Sequence, residues 1–167
     1  MNELIEKRRS IRKYQSDKPV STEQLKSIIG AGMMAPSAHN SRQWEFIAIT
    51  KREILDEIAE IHPYGKMCKT ATAAIVIVAV PQTGKAAVFF PQDCAAAAQN
   101  ILLETVSREL GACWCAVYPS DELVAHFRRI FSISEPKIPF CVIALGTPDE
   151  SPRPRGFFDE SKISYVF

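Results

Sequence analysis

The chain has 167 residues, an apolar fraction of 47% and a nearly balanced charge, with 20 Lys and Arg against 19 Asp and Glu. That length fits one domain over residues 1–167, with 146–167 as a C-terminal tail, and the apolar share suffices for a packed core. Balanced charge removes any general electrostatic drive toward nucleic acid or an anionic membrane, so an anion would have to be held by a local cluster.

From the N-terminus, Leu4, Ile5 and Ile11 predict a short amphipathic helix, ended by Ser16-Asp17-Lys18-Pro19 because proline pushes its predecessor out of helical geometry. Met1–Ser10 is charged where a secretory leader would be apolar. Ser21-Thr22-Glu23-Gln24 starts a second helix, with Ser21 as N-cap and Gln24 closing a capping box. Leu25, Ile28, Ile29 and Met33 form its expected buried face. Ala35–Arg42 is a polar loop marked by Pro36, Ser37, Asn40 and Ser41.

Glu45–Thr50 reads as a strand and Arg52–Ile61 as a helix. Ala73–Val80 is continuously apolar and rich in β-branched residues, the pattern of a strand covered on both faces. The apolar stretch around it, Ala71–Pro81, falls short of the ~20 residues that span a bilayer, so no membrane association is expected. Asp93–Leu110 is an Ala-rich buried helix whose Cys94, Ala97, Ala98, Ile101, Leu102 and Thr105 share one face. A strand over Ala112–Tyr118, a capped helix over Ser120–Phe131 and a buried strand over Phe140–Leu145 follow. The tail, Gly146–Phe167, lacks periodicity but carries Phe157, Phe158, Tyr165, Val166 and Phe167. Such a tail should pack on a partner chain or back on its own domain.

Strands and helices therefore mix in one layered α+β system. No G-x-G-x-x-G follows a strand and no Walker P-loop is present, so a nucleotide cofactor would be bound in some other way. The five cysteines are Cys68, Cys94, Cys113, Cys115 and Cys141; their odd number and scatter argue against a secreted disulfide framework and for a cytoplasmic protein. Cys113 and Cys115, two apart on a strand, would share one face as small core hydrophobes.

Four clusters carry possible chemistry. In Arg8-Arg9-Ser10-Ile11-Arg12, a helix would place Arg8 and Arg12 on one face, and with Ser10 they make a donor group suited to a phosphate monoester. A solvated basic face is the plain alternative. Ala35-Pro36-Ser37-Ala38-His39-Asn40-Ser41-Arg42-Gln43-Trp44 can clasp a polar heterocycle or be an ordinary turn. Gly111-Ala112-Cys113-Trp114-Cys115-Ala116-Val117 has small residues that let a flat ligand approach the backbone, or is simply a buried strand. Arg153-Pro154-Arg155 is a stiff pair of cations in the tail, or plainly solvent-exposed.

Their order is more specific than any one of them. Arg-Arg-Ser-x-Arg at Arg8–Arg12, Ala-Pro-Ser-Ala-x-Asn-Ser at Ala35–Ser41, Asp-Cys-Ala-Ala-Ala-x-Gln-Asn at Asp93–Asn100, Leu-Gly-Ala-Cys-Trp at Leu110–Trp114 and a late Arg-Pro-Arg together resemble the FMN-dependent nitroreductase family over nearly the whole chain. Pro63-Tyr64-Gly65-Lys66-Met67 and Phe158-Asp159-Glu160-Ser161-Lys162 look like its compact members. The resemblance implies a three-layer fold, a mixed and mostly antiparallel sheet between helices, in a homodimer with two flavin sites at the interface. It implies that Arg8, Arg9, Ser10 and Arg12 bind the FMN phosphate, ribityl chain and pyrimidine edge, with Arg12 near N1/O2. Arg153 and Arg155 would complete the phosphate clamp. Pro36, Ser37, Ala38 and Asn40 would reach the flavin of the other subunit, and backbone amides near Cys115 and Ala116 would face the ring.

The implied activity is transfer of electrons from NADH or NADPH, as hydride to flavin N5, and onward by a ping-pong mechanism to a small acceptor such as a nitroaromatic or quinone. No side-chain acid, base, nucleophile or metal ligand is implied. A same-scaffold flavin enzyme with other chemistry (dehalogenation, enone reduction, flavin modification) and a noncatalytic flavin-binding module are the alternatives. Two departures stand out. Asn40-Ser41-Arg42-Gln43-Trp44 replaces the usual Asn-x-Gln-Pro-Trp, and Ala116 stands where Gly is common, which would strain the chain if φ there is positive.

Overall fold

In a computed structural model, which describes residues 2–153 and 156–167, the N-terminal helix is a single short piece, α1 (Glu3–Lys7). Asn2 caps it by accepting the Leu4 N–H at 2.9 Å. At Arg8 the backbone turns to φ −57°, ψ 125°, and the chain runs extended from there. The longer helix expected from Leu4, Ile5 and Ile11 does not form, because an isolated helix of this length is marginal and the segment finds sheet partners instead. Ile11 N–H donates to the Ala112 carbonyl at 2.9 Å, and Gln15 N–H to that of Thr147 at 3.0 Å. Extension also buries Ile11 and Tyr14, with the Tyr14 hydroxyl set between the carbonyls of Ile11 at 2.6 Å and Ala144 at 3.1 Å.

Helix α2 (Thr22–Met33) starts with the predicted capping box: Ser21 Oγ accepts the Gln24 N–H, and Gln24 Oε1 accepts the Ser21 N–H. Leu25 and Ile28 are buried and Ile29 half-buried, but Met33 is 55% exposed. The buried face runs through Gly32, where a Cβ would lie 2.9 Å from Ile101 Cγ1. That close approach seats α2 on α4 (Phe90–Ser107) and rotates Met33 outward.

Strands β1 (Trp44–Ile49), β2 (Ala73–Ala79), β3 (Gly111–Ala116) and β4 (Ile138–Gly146) form one sheet in the order β1-β2-β4-β3. Every strand pair is antiparallel, so the sheet is not mixed as expected; among the described residues the one parallel pairing is the isolated bridge Ser10–Ala112. Strand direction depends on long-range connection, which local pattern does not encode. The central strands are covered on both faces, and alternation divides their side chains. Ile75, Ile77, Ile143 and Leu145 pack with α2 and α4. Val76, Val78, Val142 and Ala144 pack with α3 (Arg52–Ile61) and α5 (Asp121–Phe131). The expected three layers follow directly from this division. Helix α4 starts at Phe90, earlier than expected, with Pro91 in its first turn, where a missing N–H costs nothing.

After β4 the chain lies back along the N-terminal segment, with Asp149 N–H donating to the Lys13 carbonyl at 2.8 Å. Farther on it does not pack on its own domain: Phe157 and Phe158 are each 76% exposed and Val166 97%. Gly111 is the contact on which the extended segment depends, since a Cβ there would come 2.7 Å from Ile11 Cβ. Gly111→Ala should therefore destabilise the protein by about 2 kcal/mol through overpacking, read as a lower urea midpoint with unchanged slope.

Candidate active site

Strand β3 lies at the sheet edge, with β4 on one side. Val117 N–H donates to the Phe140 carbonyl at 3.0 Å, and the register continues through Cys115–Val142 and Cys113–Ala144. Hydrogen-bonded and non-bonded pairs alternate along an antiparallel ladder, so the odd-numbered residues face β4 while Ala112, Trp114 and Ala116 turn their backbone groups outward. The outward carbonyl of Ala112 meets Ile11 N–H, and that of Ala116 meets His62 Nε2 at 2.9 Å. Between these two anchors a cavity of about 750 Å³ opens, lined by Arg12, Lys13, Tyr64, Lys66 and Met67 and by β3 from Cys113 to Ala116.

Cys115 and Ala116 both line it. The ladder commits the Cys115 amide to Val142 and leaves the Ala116 amide facing the cavity. Ala116 is absent from the residues with positive φ, so no strain attends Ala in place of Gly. Gly111, the bare position in this strand, makes room for Ile11 rather than for a ligand. Cys113 and Cys115 are buried on one side of β3, as expected. The neighbouring Cys115 side chain and the nearby Arg12 guanidinium pull Cys113 below the ordinary thiol range against the effect of burial. The proximity of Cys113, with burial, pushes Cys115 up.

A second cavity, about 320 Å³, is lined by Arg8, Arg9, Ser10, Arg12 and Pro152. Arg8 and Arg12 come together as predicted, though through extended backbone, whose period of two brings every second residue to one side. Arg12 lines both cavities and makes them neighbours. The Arg9 guanidinium donates to the Arg8 carbonyl at 2.5 Å and to the Arg153 carbonyl at 3.4 Å, which brings the exposed Arg153 to the cluster by its main chain. Arg155 lies outside the described residues. Glu150 fastens the tail here, accepting the N–H groups of Arg12 at 2.5 Å and Lys13 at 3.2 Å.

The structure sets Pro36, Ser37 and Ala38 apart from both, in a cavity of about 290 Å³ shared with Phe89, Gln92 and Asp93. Asn40 sits exposed in the same loop and accepts from Arg42 Nε at 3.2 Å. His39, Asn40 and Arg42 all hold positive φ, near 50°. Two buried polar residues keep the loop in that shape. The Asp93 carboxylate, 3% exposed, accepts from Ala38 N–H at 2.8 Å, Gln43 Nε2 at 3.0 Å and Ser41 Oγ at 3.3 Å. Gln43, fully buried, also donates to the Ala86 carbonyl at 2.9 Å and accepts the Gln82 N–H at 2.8 Å. The sequence marks Gln43 only as a departure from the family pattern and gives neither residue a role in shaping the loop, although a carboxylate next to Cys94 on an otherwise apolar helix face is a visible signal. Among the described residues, no group of three or more His, Cys, Asp or Glu is placed to hold a metal ion.

A model of the nitroreductase family matches residues 5–63 and 60–147 of the chain. A Methanothermobacter thermautotrophicus protein, provisionally named an NADH dehydrogenase/NAD(P)H nitroreductase, is 48% identical over 161 residues, covering 96% of this chain and 84% of that one. The solved FMN-dependent nitroreductase of Clostridium difficile superposes with a TM-score of 0.90 at 29% identity, covering 99% of this chain and 98% of that one. A Desulfovibrio desulfuricans protein provisionally named a nitroreductase, solved in complex with FMN, gives a TM-score of 0.81 at 28% identity, with 99% and 96% covered.

Removing the Asp93 carboxylate leaves buried donors without an acceptor. Asp93→Ala should cost about 2 kcal/mol of stability and raise amide hydrogen exchange at Ala38 and its neighbours.

Proposed function

The chain belongs to the nitroreductase family, and from its site we propose that it is an FMN-dependent oxidoreductase. In this reading it takes electrons from NADH or NADPH and passes them to a small acceptor such as a nitroaromatic or quinone. Arg12 carries the reading, because it lines both the basic cavity and the larger one along the free edge of β3. A mononucleotide of a flat heterocycle needs such a pair of neighbouring sites, one for a doubly charged phosphate and one for a polar ring. The donor set fits: arginine forks match phosphate oxygens by charge-assisted bonds.

Arg8, Arg9 and Ser10 hold the phosphate and ribityl chain, supplemented by Arg153 and Arg155, and Arg12 meets the pyrimidine edge. FMN, when bound, supplies the two-electron chemistry. The chain's own residues orient it and shape its electrostatics. Arg12 places a fixed cation where negative charge grows on reduction, and the Ala116 amide aims a donor into the cavity. Donor and acceptor use the same open face in turn, so the kinetics are ping-pong.

The protein acts as a homodimer. Pro36, Ser37 and Ala38 line a cavity that shares no residue with the other two, so each chain carries two separate parts of a site, and the loop serves the partner's flavin. The exposed aromatic tail covers the partner, since Phe157, Phe158, Tyr165 and Phe167 are each more than 60% exposed on the single chain. Five free cysteines accord with the cytoplasm. No helix among the described residues is long and apolar enough to cross a membrane.

Purified protein should show a flavin absorbance spectrum that NADH or NADPH bleaches and a nitroaromatic or quinone restores, with parallel double-reciprocal plots. The Arg8→Ala, Arg12→Ala double variant should bind FMN at least about 100-fold more weakly, at about 1.5–3 kcal/mol per charged hydrogen bond; unchanged affinity would remove the phosphate assignment. Deletion of residues 156–167 should shift the sedimentation equilibrium toward monomer.

A further inference from the structure

His62 follows the last residue of α3, is 1% exposed, and has both ring nitrogens engaged. Tyr64 N–H donates to Nδ1 at 3.1 Å. The ring proton therefore belongs on Nε2, which donates to the Ala116 carbonyl at 2.9 Å. Burial favours the neutral ring that makes this pair of bonds. Behind the same peptide unit, Val117 N–H donates to the Phe140 carbonyl at 3.0 Å. The unit joining Ala116 to Val117 is thus gripped by His62 on one side and by β4 on the other.

In an extended strand the N–H and C=O of one residue point the same way, so fixing the Ala116 carbonyl also aims the Ala116 amide into the large cavity. The chain beyond His62 turns tightly over the imidazole. A Cβ at Gly65 would come 2.8 Å from His62 Cβ and 3.2 Å from the Ile58 carbonyl, and Gly65 N–H donates to the His62 carbonyl at 2.9 Å. That turn delivers Tyr64, Lys66 and Met67 to the cavity wall. One imidazole therefore sets the spacing between two walls of the site.

We propose that His62 is a positioning residue: through the Ala116 carbonyl it aims the Ala116 amide at the redox-active edge of the bound flavin ring and so helps to set the reduction potential. The inference rests on the flavin reading above. A His that merely tied α3 to β3 would affect stability alone.

Two substitutions separate the roles. The side-chain amide of His62→Gln reaches about as far as Nε2 and can still donate to the Ala116 carbonyl; that of His62→Asn reaches only about as far as Nδ1. Neither touches the phosphate cavity, so both should still take up FMN, and each is loaded to saturation before its potential is read. In His62→Asn the reduced cofactor should become roughly tenfold less favoured relative to the oxidised one, which for a two-electron couple is a midpoint about 30 mV more negative. His62→Gln should recover most of that shift. In the cofactor-free protein, the Ala116 amide resonance in ¹⁵N–¹H spectra should move in His62→Asn and stay near its original place in His62→Gln. An FMN-loaded His62→Asn variant with the parent's potential overturns the inference. If His62→Asn does not fold, His62→Gln decides alone: potential and resonance must stay or move together, and one without the other overturns it. A parent protein that takes up no FMN overturns the cofactor reading itself and this inference with it.

Discussion

The free edge of β3 organises everything around it. An edge strand has half of its backbone groups turned away from the sheet, and those groups must find partners or face water. Here the outward groups are divided by position. Ala112 takes Ile11 from the N-terminal segment, Ala116 takes His62, and the stretch between them opens on the cavity. Because Ile11 is pinned, Arg12 is held at the cavity rim, and Arg8 to Ser10 are placed beside it. The site is therefore a gap in the pairing of an edge strand, walled by the segments that close the gap at either end.

Close approach makes that arrangement possible. Gly111 lets Ile11 lie against β3, Gly32 lets α2 settle on α4, and Gly65 lets the chain turn over His62. In each case the absent side chain serves packing between elements, which then holds a polar group in place. The loop of residues 35–42 is held differently. Its left-handed backbone at His39, Asn40 and Arg42 carries an intrinsic cost for residues with side chains. The hydrogen bonds from Ala38, Ser41 and Gln43 to a buried Asp93 offset that cost, so the loop's shape depends on one carboxylate in α4.

How much of this was legible depended on whether the signal was local. Helix α3 has the predicted limits because its periodicity is strong, and β2 reads as doubly covered because all seven of its residues are apolar. The α2 capping box is three residues apart and needed no tertiary information. By contrast, Leu4, Ile5 and Ile11 fit a helix, and only the distant Ala112 and Thr147 show that Ile11 belongs to an extended segment. Arg8 and Arg12 come to one side in either geometry, because four residues make about one helical turn or two strand periods. The polarity of Asp93 on an apolar helix face is visible in the sequence, but the partners of Gln43, Asp93 and His62 are not, because they lie about 40 to 55 positions away.

Within the flavin reading, the separation of these keys has a consequence for how the protein can vary. Affinity for the cofactor resides in the N-terminal segment, where charge does the holding. Electronic tuning resides at the end of β3, where His62 fixes a single peptide unit. Access to the ring resides in a loop that Asp93 shapes from another part of the chain. Arg42 belongs to that third region: it is exposed, its N–H donates to Ser37 Oγ at 3.0 Å, and its side chain reaches Asn40, so its extra charge lies at the loop surface and clear of the buried network. Substitution of the Arg42 side chain would therefore change the charge at the loop surface while leaving the Asp93 network that shapes the loop in place.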